Sequence, residues 1–153
     1  MKEFQLRKLK NTAHRLYEQL DELNTAMNGR IVFVGGIVEY LFGSKDSVKD
    51  VDCCVWGDIK PLTKIGPVII WDNGRRMKIR SGSKDGYKMV DIFKKMPTSK
   101  IFEHEGFKFA TMQSVLDYHQ YALDNNWGWS DKAKEKSRET INRLTNFING
   151  KFY

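Results

Sequence analysis

Two aspartates two residues apart, Asp50 and Asp52, follow a Gly35-Gly36 pair by a short apolar segment and a polar loop. Ahead of the glycines, Ile31 to Val34 is a β-branched apolar run, the pattern of a buried strand. Behind them Ile37, Val38, Leu41 and Phe42 recur at helical spacing until Gly43 stops the helix. A Gly-Gly turn between strand and helix lets backbone N–H groups approach an anion at a helix N-terminus. The run Asp50-Val-Asp-Cys-Cys-Val-Trp56 then has the character of a second strand. Strand alternation puts Asp50, Asp52 and Cys54 on one face and Val51, Cys53 and Val55 on the other. A phosphate cradle beside two parallel carboxylates suits a nucleoside triphosphate held through a divalent metal.

A third acid stands in Met89-Val-Asp91-Ile-Phe93, a strand-like run in which an unpaired carboxylate is expensive to bury. A metal shared with Asp50 and Asp52 relieves that cost, as does a salt bridge to a nearby lysine, and the upstream motif favours the metal. Lys45 and Lys49, between the helix and the Asp50 strand, lie either within reach of a phosphate or in a solvated loop. Val68 to Trp71, the turn Asp72-Asn-Gly74 and Arg75 to Arg80 predict a hairpin. On its returning strand Arg76, Lys78 and Arg80 alternate with Met77 and Ile79. That is a basic wall for a triphosphate or an acceptor polyanion, or the wet side of an ordinary half-exposed hairpin.

Val34-Gly35-Gly36 followed by Asp50-Val51-Asp52 resembles the signature of the DNA polymerase β-like nucleotidyltransferase superfamily. Phe33 to Gly43 is similar to the Gly-Gly segment of CCA-adding enzymes and poly(A) polymerases, and to small stand-alone nucleotidyltransferases of bacterial defence and toxin–antitoxin systems. Asp91 stands where the resemblance implies a third carboxylate, so the match spans residues 31–93. The pattern departs at Glu39-Tyr40, where CCA-adding enzymes carry Arg-Asp, and their template-recognition motifs and additional helical domains have no counterpart. The resemblance implies transfer of an NMP from an NTP to an acceptor hydroxyl (RNA, protein or small molecule), with release of pyrophosphate. It implies Asp50, Asp52 and Asp91 as catalytic metal ligands for Mg2+ or Mn2+. Gly35 and Gly36 would pack against the triphosphate, with Lys45, Lys49, Arg76 and Lys78 as its basic neighbours. The alternative is a non-catalytic nucleotide- or nucleic-acid-binding or inhibitory module on the same fold.

The elements that must position these residues are legible as periodicities. Leu6, Leu9, Ala13, Leu16, Tyr17, Leu20, Leu23 and Met27 predict an amphipathic helix from Glu3 to Met27, ended by Asn28-Gly29. It covers the sheet, or pairs with a partner chain through the same stripe. Lys100 to Ala110 predicts a hairpin around Glu105-Gly106, which leaves Glu103-His104-Glu105 on the surface. Thr111 and Ser130 cap two final helices, to about Leu123 and to Ile148. His119 is expected as a packed helix residue. Trp127 and Trp129 between these helices stack a base or, more commonly, plug the junction.

The expected architecture is therefore α+β: a nucleotidyltransferase-like mixed sheet with an N-terminal helix and a C-terminal helical pair. It is read as one domain, with helix over 1–29, catalytic sheet over 30–110 and helices over 111–153. Hydrophobic content of 41% with 12% aromatics argues against disorder across the 153 residues. No apolar run reaches membrane-spanning length and no apolar signal segment opens the chain, so a cytoplasmic protein is expected. Adjacent Cys53 and Cys54 fit neither a disulfide framework nor zinc spacing. A net charge of +7 points to a polyanionic partner, or simply to solubility. The excess is concentrated between Asn73 and Lys95, where eight basic residues face two acidic ones.

Overall fold

A computed structural model describes residues 4–12, 14–48, 51–71, 76–81, 88–94, 100–125 and 130–150. The chain is α+β, with a mixed seven-stranded sheet in the order β3-β4-β5-β2-β1-β7-β6. The strands are β1 Ile31–Val34, β2 Val51–Val55, β3 Val68–Trp71, β4 Arg76–Ser81, β5 Lys88–Lys94, β6 Ile101–His104 and β7 Phe107–Ala110. The helices are α1 Leu6–Thr12, α2 His14–Ala26, α3 Gly36–Phe42, α4 Met112–Asn125 and α5 Asp131–Gly150. β2 runs parallel to β5 and β1 parallel to β7, while the other neighbours are antiparallel.

The N-terminal stripe lies in the chain's own core: Leu6, Leu9, Leu16, Leu20, Leu23 and Met27 are all buried. The expected single helix is described as α1 and α2, and Ala13 between them lies outside the described residues. Asn28 and Gly29 take positive φ (51° and 77°) and turn the chain into β1. Arg30 fixes that junction by donating from Nε to the carbonyl of Met27 and from Nη1 and Nη2 to those of Trp56 and Asp58. The start of β1 is thereby tied to the end of β2.

One face of the sheet is apolar at its centre. Phe33, Cys53, Ile92 and Met77 follow one another across β1, β2, β5 and β4 in register, and all are buried. Phe33 also stacks near Phe109 of β7, with ring centroids 5.9 Å apart. On this side the Tyr17 ring of α2 meets Phe107 edge-on, so the N-terminal helices cover this face. The expected hairpins form. β3 and β4 pair from Val68↔Ile79 to Trp71↔Arg76, and residues 72–75 of their turn lie outside the described set. β6 and β7 turn through Glu105 and Gly106, both at positive φ (50° and 84°), as a two-residue turn of primed type requires.

The other face is covered by the C-terminal pair. The Thr111 hydroxyl accepts from the Ser114 N–H and the Ser130 hydroxyl from the Ala133 N–H, which caps α4 and α5 at their starts. Among the described residues, no helix is long and apolar enough to cross a membrane.

Candidate active site

Across the second sheet face the register sets Val34, Asp52, Asp91 and Lys78 side by side on β1, β2, β5 and β4. Residues directly opposite one another share a face and lie within side-chain reach. Strand alternation thus turns the two aspartates away from Val51, Cys53, Val90 and Ile92, which are buried on the apolar face. The Lys78 ammonium lies 3.7 Å from Asp91 Oδ1, with side-chain exposures of 40% and 29%. The lysine partner expected as the alternative to a metal therefore exists, at a long and half-exposed distance. Oδ1 is itself covered and accepts no hydrogen bond among the described residues.

The Gly35-Gly36 turn closes on this row. Gly35 has φ 70° and ψ −139°, a conformation that only glycine adopts without strain. A Cβ on Gly35 would stand 2.9 Å from Asp52 Oδ2, so the carboxylate rests directly against the turn. A Cβ on Gly36 would stand 3.4 Å from Lys45 Nζ. The turn, one carboxylate and one ammonium are thus contiguous. They open into a cavity of about 520 Å³, between the aspartate-bearing sheet face and helices α4 and α5. That volume is in the range of sites for nucleotide-sized ligands.

Of the sequence candidates, Gly35, Gly36, Lys45, Asp52 and Asp91 line this cavity. Lys78 sits beside Asp91 in the same row. Arg76 pairs in the backbone with Phe93, and its side chain is outside the described set. Lys49 and Asp50 also lie outside it, as do Trp127 and Trp129. Among the described residues no three acids, histidines or cysteines gather into a metal-holding group. Asp52 and Asp91 supply a pair. Carboxylates in register on neighbouring strands repel one another. Their hard oxygens, with an Asp91 Oδ1 that accepts no hydrogen bond among the described residues, suit a divalent cation such as Mg2+.

The helical wall holds residues whose contribution single-sequence reasoning missed. Glu39 of α3 is 2% exposed, and its Oε1 accepts from Arg143 of α5 through Nη2 at 2.9 Å and Nε at 3.2 Å. Its Oε2 lies 3.8 Å from Lys45 Nζ. His119 lies near this cluster and lines the cavity, and its buried Nδ1 has no hydrogen-bond partner among the described residues. Burial lowers its pKa from the usual 6.5, and Arg143 and Lys45 push the same way against an opposing pull from Glu39. Imidazole is accordingly the neutral form near pH 7. Cys54 lines the cavity, whereas Cys53 is fully covered on the apolar face. Burial pushes the Cys53 thiol well above its usual range, with Cys54, Asp52 and Asp91 adding to the effect, so it is no nucleophile.

The chain matches no protein-family model and no curated protein. It is similar to the crystal structure of JHP933 from Helicobacter pylori, with a TM-score of 0.55 at 17% identity over 78% of this chain and 59% of that one. A Helicobacter pylori protein named "putative nucleotidyltransferase" aligns with a TM-score of 0.48 at 17% identity, over 71% of this chain and 58% of that one. ANT(2″)-Ia in complex with adenylyl-2″-tobramycin aligns with a TM-score of 0.45 at 16% identity, over 92% and 97% of the two chains. The chain spans under three fifths of the length of both Helicobacter pylori proteins. At these identities the likeness is one of fold.

Proposed function

We propose that the chain is a metal-dependent nucleotidyltransferase that moves an NMP from an NTP to an acceptor hydroxyl and releases pyrophosphate. The observation that carries this reading is the contiguity of Gly35, Asp52 and Asp91 at the floor of one cavity. The triphosphate lies along the Gly35-Gly36 turn, where backbone N–H groups and the Lys45 ammonium meet its charge. The acceptor oxygen forms a bond to the α-phosphorus while the bond from that phosphorus to the pyrophosphate oxygen breaks. The hydroxyl proton passes to a carboxylate oxygen of Asp91, beside which the Lys78 ammonium lies at 3.7 Å. Asp52 and Asp91, joined by Asp50, would hold Mg2+ or Mn2+, which neutralises charge on the nucleotide phosphates when bound. The sheet floor and helical wall orient the reactants and exclude water.

Calorimetric titration with each NTP, with and without Mg2+, tests the assignment. Saturable binding that needs Mg2+ and is lost in Asp52→Ala/Asp91→Ala supports it. Nucleotide binding by the wild type that the double variant retains would move the site elsewhere.

A further inference from the structure

Glu39 is buried, yet its two carboxylate oxygens face different cations. The Arg143 guanidinium brings Nη2 and Nε to the same oxygen, Oε1, at 2.9 and 3.2 Å. The fork-on-fork pairing common between arginine and carboxylate uses both oxygens. Here Oε2 is turned instead to the Lys45 ammonium, at 3.8 Å. The main chain of Glu39 holds the same segment. Its carbonyl accepts from the N–H groups of Gly43 and Ser44, at 3.0 and 2.9 Å, and from the Ser44 hydroxyl at 3.2 Å. Residues 44–48 belong to no helix or strand, so Lys45 takes its place from contacts of this kind. A Cβ on Gly36 would stand 3.4 Å from Lys45 Nζ and 3.7 Å from Val48 Cγ2, so the segment folds back across the Gly-Gly turn.

We infer that Glu39 is a positioning residue of the nucleotide site: it holds the Lys45 ammonium over the Gly35-Gly36 turn, where it meets the triphosphate. A free lysine loses rotamer entropy when it grips a phosphate, and one already held has lost it beforehand. A lone carboxylate so close would cancel the charge of the ammonium. Arg143 offsets it, and two cations around one anion leave the cluster a net cation. The inference rests on the transferase reading for its ligand, but the ordering of Lys45 is measured without nucleotide.

The test compares the wild type, Lys45→Met, Glu39→Met/Arg143→Met and the triple variant, with thermal melting as the check on folding. Removing Glu39 and Arg143 together leaves the net charge of the cluster unchanged and no buried charge unpaired. In calorimetry with Mg2+ and each NTP, the pair variant should bind about fivefold more weakly than the wild type. On the Lys45→Met background the same pair should change affinity by about twofold or less, because its effect runs through Lys45. Wild-type affinity in the pair variant, or an equal loss on both backgrounds, means that the pair serves stability alone and overturns the inference. NMR of wild type labelled at the lysine Cε positions reads the ordering directly, with the Lys45 signal assigned by its absence in Lys45→Met. Lys45 should relax as an ordered side chain. A Lys45 signal as mobile as those of exposed lysines overturns the inference even where the pair variant fails to fold. A wild type that takes up no NTP defeats the transferase assignment and this role of Lys45 with it, whereas equal losses on both backgrounds defeat only the positioning by Glu39.

Discussion

Asp52 and Asp91 stand in register on adjacent strands, which makes them like-charged neighbours. Asp52→Asn removes that repulsion, and its melting temperature in EDTA should equal or exceed that of the wild type. Added Mg2+ should raise melting of the wild type and not of the variant, because only a bound species shifts the folding equilibrium. Transfer should fall by about 10²- to 10³-fold in the variant, as when a preorganised charge-stabilising group is lost. Equal Mg2+ shifts in both proteins would remove Asp52 from the metal site. Gly35→Ala acts on the same contact from the other side. With φ at 70° and a Cβ 2.9 Å from Asp52 Oδ2, it should cost about 1–3 kcal/mol in urea unfolding. It should also weaken nucleotide binding, because the carboxylate must move. These residues were legible in the sequence because their chemistry is local: a Gly-Gly pair after a β-branched run, and acids at alternate strand positions. Glu39 was not. A single glutamate in a short helix has the appearance of a solvated side chain, and its partner Arg143 lies 104 residues away.

The Glu39–Arg143 pair is where elements are joined, α3 to α5. A carboxylate 2% exposed must be paired to stay charged at tolerable cost. Arg143→Ala leaves it with Lys45 at 3.8 Å. Since the arginine is itself partly in solvent, the loss should be about 2 kcal/mol in urea unfolding. Replacing both partners in Glu39→Met/Arg143→Met should recover most of that loss, because apolar side chains of similar size avoid the desolvation. A double variant no more stable than Arg143→Ala would show that the pair contributes by more than cancelling its own charges. His119 of α4 packs on the same junction, and its titration gives the junction a pH dependence. Burial lowers its pKa in the folded chain below the usual 6.5, so the unfolded chain takes up the proton first as pH falls. The stability that depends on a neutral His119 is complete above the unfolded value. It is lost as pH drops through 6.5 towards the lower folded value. Urea midpoints at about pH 7.5 and about pH 5.5 should differ less in His119→Gln than in the wild type. An unchanged difference would place the proton uptake elsewhere. The elements themselves were readable because turns and caps carry their own residue types, Glu105-Gly106 for β6–β7 and Thr111 and Ser130 for α4 and α5. What the helices pack against was not, since a stripe of apolar residues names no partner.

At the scale of the molecule, the decisive fact is strand order. β5 lies next to β2 and parallel to it, although β3 and β4 intervene in the chain. That placement sets Asp91 beside Asp52, and no local pattern specifies it, because parallel neighbours are joined only through long connections. The charge of the molecule was legible from composition, but its bearing on a ligand depends on where the sheet and helices set it. Lys78 comes to lie in the row of the two aspartates, and Lys136 on the wall opposite.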